Sequence, residues 1–229
     1  MKIGALQKVS LIEYPGEICA IVFTQGCNFR CPYCYNPELV NPELYGECLP
    51  EEDVFSFLAK RKGKIDAVTI TGGEPTIQHD LIEFVKRVRK TGYSIKIHTN
   101  GSNPEVIDKL ISSKLVDYIA MDVKSPAHKY KMVTKSQVSY DTIKQTIQLI
   151  MKSGIPYEFR TTVLKKLLEK NDIIEIGNSI KNARLYILQQ FIPSKILDRG
   201  FIKYETYSLE EMEYFRKKLE KSVSNVLIR

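Results

Sequence analysis

The order of strand-like and helix-like runs constrains this chain most. Ala67-Val68-Thr69-Ile70-Thr71 is a β-branched run halted by Gly72-Gly73, and Leu81, Ile82, Phe84, Val85 and Val88 then share one helical face that stops near Gly92. The pattern returns. Residues 94–99 read as a strand halted at Asn100-Gly101, and a helix starts at Pro104 with Val106, Ile107, Leu110 and Ile111 on one face. Residues 117–122 form the next strand, 125–138 read as loop, and Asp141 is placed as the cap of a helix with Ile143, Ile147 and Ile150 inward. Strands follow at 156–163 and 184–191, with a helix opened by Asn171-Asp172 between them. Upstream, 2–17 read as a hairpin-like lead-in turning at Tyr14-Pro15-Gly16-Glu17, 18–24 as the first barrel strand, 35–50 as irregular, and 50–60 as a helix with acids in its first turn. Ser208-Leu209-Glu210-Glu211 resembles a capping box before a last helix carrying Met212, Phe215 and Leu219. Strand, loop and helix in about six successions require a parallel sheet with right-handed crossovers, two short of the eight that close a full barrel. The expected fold is α/β: a partial (β/α)6 TIM-like barrel with an open parallel sheet. It forms one domain over 1–229, with an N-terminal extension over about 1–17 and a C-terminal segment over about 194–229.

The chain of 229 residues is long enough for one substantial core. Its net charge of +7 is spread over small clusters such as Lys86-Arg87, Lys165-Lys166 and Arg216-Lys217-Lys218. Such clusters belong on solvated helix faces, so no direct nucleic-acid binding is expected, though they can help an acidic protein dock. No apolar run reaches membrane-spanning length and Met1-Lys2-Ile3-Gly4 does not begin a signal peptide. The five cysteines are odd in number and three are crowded together. That argues for a reducing, cytoplasmic setting rather than a disulfide framework.

Those three are Cys27, Cys31 and Cys34, a C-x₃-C-x₂-C run directly after the first strand. Iron–sulfur clusters are normally held by four thiolates. A cubane on these three would leave one iron free for an exogenous ligand, as open catalytic metal sites do. The same residues can also be three unrelated buried cysteines, or a zinc site completed by His79 or His98, although zinc favours paired C-x₂-C elements and no second pair follows. Cys19 reads as packing in the first strand, and Cys48 as an incidental loop cysteine.

With aromatic Tyr33 before the last cysteine, the run resembles the signature of the radical S-adenosylmethionine (SAM) enzymes. Gln25-Gly26-Cys27-Asn28-Phe29-Arg30-Cys31-Pro32-Tyr33-Cys34-Tyr35-Asn36-Pro37-Glu38-Leu39 is similar to the anaerobic ribonucleotide reductase activating proteins, relatives of the pyruvate formate-lyase activases. The similarity runs from about Ser10 to Pro193. At Tyr35 many activases of this group have His, so no role of that His carries over. The resemblance implies a 4Fe–4S cluster on Cys27, Cys31 and Cys34, with Tyr33 at the cofactor. An electron from a low-potential donor such as flavodoxin or ferredoxin would cleave SAM to methionine and a 5′-deoxyadenosyl radical. The radical would take hydrogen from a glycine of a glycyl-radical enzyme, anaerobic ribonucleotide reductase above all.

The remaining candidates fall where strands end, the rim on which parallel barrels build chemistry. Gly72, Gly73 and Glu74 follow the second strand; consecutive glycines let backbone approach a ligand. Gly-Gly-Glu-Pro resembles the segment that holds the methionine amino group in this family. Thr99 and Asn100 end the third strand and Asp122-Val123-Lys124 the fourth. Asp122-Val123-Lys124 resembles an activase element that touches the ribose and the methionine carboxylate, as an acceptor and a cation can. Arg160, in the fifth strand, is placed either against SAM or in a pair with a structural acid, and Gln189 lies near the end of the sixth. Each alone has a plainer reading as turn, cap or solvated charge. The other functions open to the sequence are a radical SAM enzyme for a small, nucleotide-like substrate, such as one forming a 7-carboxy-7-deazaguanine, and a non-catalytic zinc module.

Overall fold

The computed structural model describes residues 1–229. Its frame is one sheet of eight strands lying side by side in chain order. Strand β1 (Ile3–Tyr14) runs antiparallel to β2 (Glu17–Thr24), turning where the Pro-Gly turn was expected. Beyond β2 all pairings are parallel, through β3 (Ala67–Gly72), β4 (Ser94–Thr99), β5 (Tyr118–Asp122), β6 (Tyr157–Val163) and β7 (Tyr186–Gln190). The six expected parallel strands are present. A seventh, β8 (Val226–Ile228), extends the sheet beyond β7. It is too short to carry a period-two signal, so the C-terminal segment showed only its helix in the sequence.

Helices α1 (Pro37–Val40), α2 (Glu51–Lys60), α3 (Leu81–Lys90), α4 (Pro104–Ser112), α5 (Tyr130–Thr134), α6 (Tyr140–Lys152), α7 (Lys170–Ser179) and α8 (Leu209–Leu219) occupy the connections. Four differ from expectation. Helix α7 begins at Lys170 with Glu169 as its cap, ahead of Asn171-Asp172. Residues 125–138 are not simply loop: α5 forms there because Tyr130 and Val133 are buried. Within 35–50, Pro37 opens the short α1. Ser139, not Asp141, caps α6, its hydroxyl accepting from the Asp141 N–H at 3.2 Å. The capping box on α8 is formed in both directions, at 3.2 and 2.9 Å between Ser208 and Glu211. No helix is long and apolar enough to cross a membrane.

Burial divides the molecule into two unequal cores. The large one fills the space between the sheet and its helices, with Val22, Ile70, Ile97 and Phe159 from the strands meeting Phe84, Leu110, Ile147 and Ile176. The small one lies on the other face and consists of Tyr14, Cys19, Ile21, Ala67 and Tyr118. Above this apolar floor the interior becomes polar. Alternate positions of β4 and β6 place Lys96, His98, Glu158 and Arg160 there, all buried. Full (β/α)₈ barrels fill this space with branched apolar side chains; here it holds charges.

Candidate active site

The cysteine loop leaves the end of β2 and is tied down on three sides. On the first side β3 runs on past its strand: the Gly73 N–H donates to Thr24 O at 2.9 Å and the Glu74 N–H to Gly26 O at 2.8 Å. Glycine is required here for closeness of backbone. A Cβ on Gly73 would lie 1.9 Å from Gly26 O, and one on Gly72, whose φ is +115°, would lie 2.3 Å from Thr24 N. The expectation that these glycines admit a ligand is thus joined by a second reason, the approach of β3 to the cysteine loop.

Glu74 and Asn100 make the second tie. The Glu74 carboxylate is buried and accepts from Thr99 Oγ1 at 2.8 Å, Thr76 Oγ1 at 2.6 Å and the Asn100 N–H at 2.6 Å. Burial pushes this carboxyl above its usual range despite those donors. Asn100 in turn donates to Asn28 Oδ1 at 2.9 Å, inside the cysteine loop. Glu74, Thr99 and Asn100 therefore act on each other and on the loop.

The third tie comes from the other side. The Arg30 N–H donates to Thr134 O at 2.8 Å, which seats α5 behind the loop. The segment after β7 crosses over it, with the Leu197 N–H donating to Cys34 O and the Asp198 N–H to Pro32 O, both at 2.9 Å. Tyr35 belongs to the same arrangement: its ring stacks on Phe191, centroids 6.0 Å apart, and its hydroxyl accepts from the Ile192 N–H at 2.9 Å.

A cavity of about 610 Å³ opens over these elements, lined by Cys27, Cys31, Cys34, Tyr33, Gly72, Gly73, Glu74, Thr99, Asn100, Asp122, Lys124 and Arg160. Every residue expected at the site is on its wall. Burial pushes Cys27 up to about 12 and Cys31 up to about 11, and Cys34 in the same direction. Thiolates in this loop thus need a positive centre beside them, as a bound metal centre would provide. Tyr33 is buried with a hydroxyl that has no partner in the protein, a vacancy in hydrogen bonding that a bound group can fill. The zinc alternative finds no fourth ligand among the named histidines. The His79 side chain is 95% exposed, and both ring nitrogens of His98 face other groups.

Opposite the thiols, Asp122 Oδ1 accepts from Arg160 Nε at 2.8 Å and Oδ2 from Lys124 Nζ at 2.9 Å. Burial would raise this carboxyl, but Arg160 and Lys124 outweigh it and hold it far below the carboxylate range. Burial would likewise lower Lys124; Asp122, with Cys31 and Cys34, outweighs that and keeps the ammonium charged. Arg160 pairs with an acid, as one of its two expected readings has it, and also lines the cavity. The triplet offers two cations and one anion to a zwitterionic ligand bearing hydroxyls.

Among the charged and titratable residues on the wall, Glu13 of β1 and Arg229 were not named from the sequence, and His98 of β4 only as a possible zinc ligand. Glu13 Oε1 lies 2.8 Å from His98 Nε2. His98 had a signal: Lys96 and His98 alternate with Ile95 and Ile97, as an interior-facing polar register would. Glu13 had none, because β1 is bulged between Ser10 and Tyr14 and the alternation breaks there.

Residues 21–176 match the Radical SAM superfamily. Among curated proteins, the chain is 36% identical to one from Methanocaldococcus jannaschii named as a glycyl-radical enzyme activating enzyme, over 99% of this chain and 95% of that protein. It is 30% identical to the pyruvate formate-lyase-activating enzyme of Clostridium pasteurianum, over 99% and 98%. The fold also superposes on Streptococcus suis SuiB, solved bound to precursor peptide SuiA, with a TM-score of 0.68 at 16% identity, over 91% of this chain and 48% of that one. The chemistry of that superfamily rests on SAM and an iron–sulfur cluster. The chain is an enzyme of the radical SAM superfamily and belongs to its glycyl-radical-enzyme activating family.

Proposed function

We propose that this enzyme generates a glycyl radical on a partner protein, and that anaerobic ribonucleoside-triphosphate reductase is the partner to test first. The observation that carries this reading is one cavity with three thiols on one wall and the Asp122–Lys124–Arg160 triplet on another. Cys27, Cys31 and Cys34 would hold a 4Fe–4S cluster with one iron left open. When bound, cluster and SAM together supply a 5′-deoxyadenosyl radical that removes a hydrogen atom. The protein binds, orients and keeps water out. Lys124 would pair with the methionine carboxylate and Asp122 accept from ribose hydroxyls. Glu74, Thr99 and Asn100 hold the floor of the cysteine loop, and the backbone of Gly72 and Gly73 borders the cavity for the methionine amino group. Tyr33 would place its unpartnered hydroxyl at the bound group. The low-potential electron would come from a flavodoxin- or ferredoxin-like protein.

The deciding experiment mixes reconstituted enzyme, SAM, reductant and the reductase under anoxia and reads electron paramagnetic resonance. A glycyl doublet on the reductase is expected. Absence of the doublet on this reductase and on pyruvate formate-lyase, with label exchanged between 5′-deoxyadenosine and a small metabolite, would replace the reading with a small-molecule enzyme. A second expectation concerns SAM alone. One charge-assisted contact is worth roughly 1.5–3 kcal/mol, so Lys124→Ala or Asp122→Ala should weaken SAM binding by about ten- to a hundredfold while the cluster chromophore stays. Calorimetric titration of the reconstituted variants checks this.

A further inference from the structure

Behind the Asp122–Lys124 pair runs a line of polar side chains drawn from several strands. Arg160 donates through Nε to Asp122 Oδ1 at 2.8 Å, and its Nη2 lies 3.0 Å from His98 Nδ1. His98 Nε2 lies 2.8 Å from Glu13 Oε1, a close polar contact that is not aligned as a hydrogen bond. A guanidinium carries donors only. His98 Nδ1 must therefore present its lone pair to Arg160, and the ring's one proton sits on Nε2, toward Glu13. The imidazole is fixed as the neutral Nε2–H tautomer between an anion and a cation. Other charges compete for the guanidinium. Arg160 Nη1 is 3.8 Å from Glu158 Oε1 and 4.0 Å from Glu13 Oε1, while Lys96 holds Glu158 at 3.2 Å. Without the ring, Arg160 has two carboxylates on its far side to turn toward and only Asp122 on the near side.

We infer that His98 is a positioning residue for SAM: its ring stands between Glu13 and Arg160, takes one N–H of Arg160 on Nδ1, and so keeps the guanidinium against Asp122. The inference rests on the reading of Asp122 and Lys124 as SAM contacts. His98 touches no SAM atom in this scheme; it acts through Arg160.

SAM affinity of the reconstituted protein tests it, with thermal unfolding as the check on folding. His98→Leu should weaken SAM binding about tenfold, the loss of one charge-assisted hydrogen bond's worth of placement. His98→Gln, which has an acceptor for Arg160 and a donor for Glu13, should bind within about threefold of the parent. In an Arg160→Met background, His98→Leu should cost less than about twofold more, since coupled residues are not additive. If His98→Leu does not fold, His98→Asn, too short to span both partners, replaces it with the same expected loss. Parent-like binding by the Leu or Asn variant overturns the inference. So does a Gln variant as impaired as Leu, or an undiminished loss in the Arg160→Met background. A parent that binds no SAM overturns the site reading itself and this inference with it.

Discussion

Replacing Cys27, Cys31 or Cys34 singly by Ala should abolish the iron chromophore of the reconstituted protein and take SAM cleavage below detection. Three thiols on one cavity wall have no substitute nearby: Cys19 lies in the apolar floor behind the charged interior, and Cys48 is exposed in a loop, its Sγ 3.4 Å from Gln25 Oε1. A cluster held by these three thiolates alone would be left on two, which its charge and burial do not tolerate. Cys19→Ala and Cys48→Ala should leave the chromophore intact, Cys19→Ala losing packing and the hydrogen bond from Thr69 Oγ1 at 3.6 Å. Iron and sulfide analysis with the visible spectrum reads all five variants, and an iron chelator should bleach the parent. Stoichiometric zinc with no iron uptake in the parent would remove the cluster assignment.

The second large effect is on stability. Lys96 is 0% exposed and spends its ammonium on Glu13 O at 2.7 Å, Glu158 Oε1 at 3.2 Å and the face of Tyr118, 4.8 Å away. Removing one partner of a buried ion pair typically destabilises by about 3–5 kcal/mol, because the other charge is left in the interior. Lys96→Met should therefore remove a large share of the roughly 5–15 kcal/mol that holds a domain together. Adding Glu158→Gln should restore most of it, leaving Tyr118 and the new amide to share the site. Denaturant titration of the single and double variants measures both. Acid should act on the same region. Burial and Arg160 depress His98 from 6.5 to about 4, so between those values the unfolded chain binds the proton that the folded chain refuses. Glu13 is brought from 4.5 down to about 2, with the His98 contact and the Lys96 and Arg160 charges outweighing burial. Both groups make stability fall as pH drops, His98 from about 6.5 downward and Glu13 below about 4.5. A parent melting point unchanged between pH 7 and about pH 5 would contradict this.

Much of the site was legible because its residues sit at strand ends, and strand ends are marked by Gly72-Gly73, Asn100-Gly101 and the C-x₃-C-x₂-C run itself. Local patterns name such positions without knowledge of the fold. What they do not name is the partner of each group. Glu74 is a rim acid in the sequence and a buried acceptor for Thr76, Thr99 and Asn100 in the fold, since two of its three donors come from the end of another strand. Gly73 looks like a ligand-facing glycine until Gly26 O is seen against it. The helices were legible where amphipathic stripes are long, as in α3, and missed where one turn is held by tertiary packing alone, as in α5. The charged interior was written in the alternation of β4 and β6, but opposite charges from different strands acquire meaning only once those strands face one another.

Because the strands lie side by side in the order in which the chain is made, each new strand emerging in synthesis finds its neighbour already in place. The scaffold can grow by short-range pairings with little loop-closure entropy to overcome. The contacts that finish the hollow belong to a later moment. Glu13 must wait for Arg160, Tyr35 for Ile192, and the carbonyls of Pro32 and Cys34 for Asp198 and Leu197. Through most of translation the cysteine loop therefore has no cover on that side, and it closes only when the last part of the polypeptide folds across.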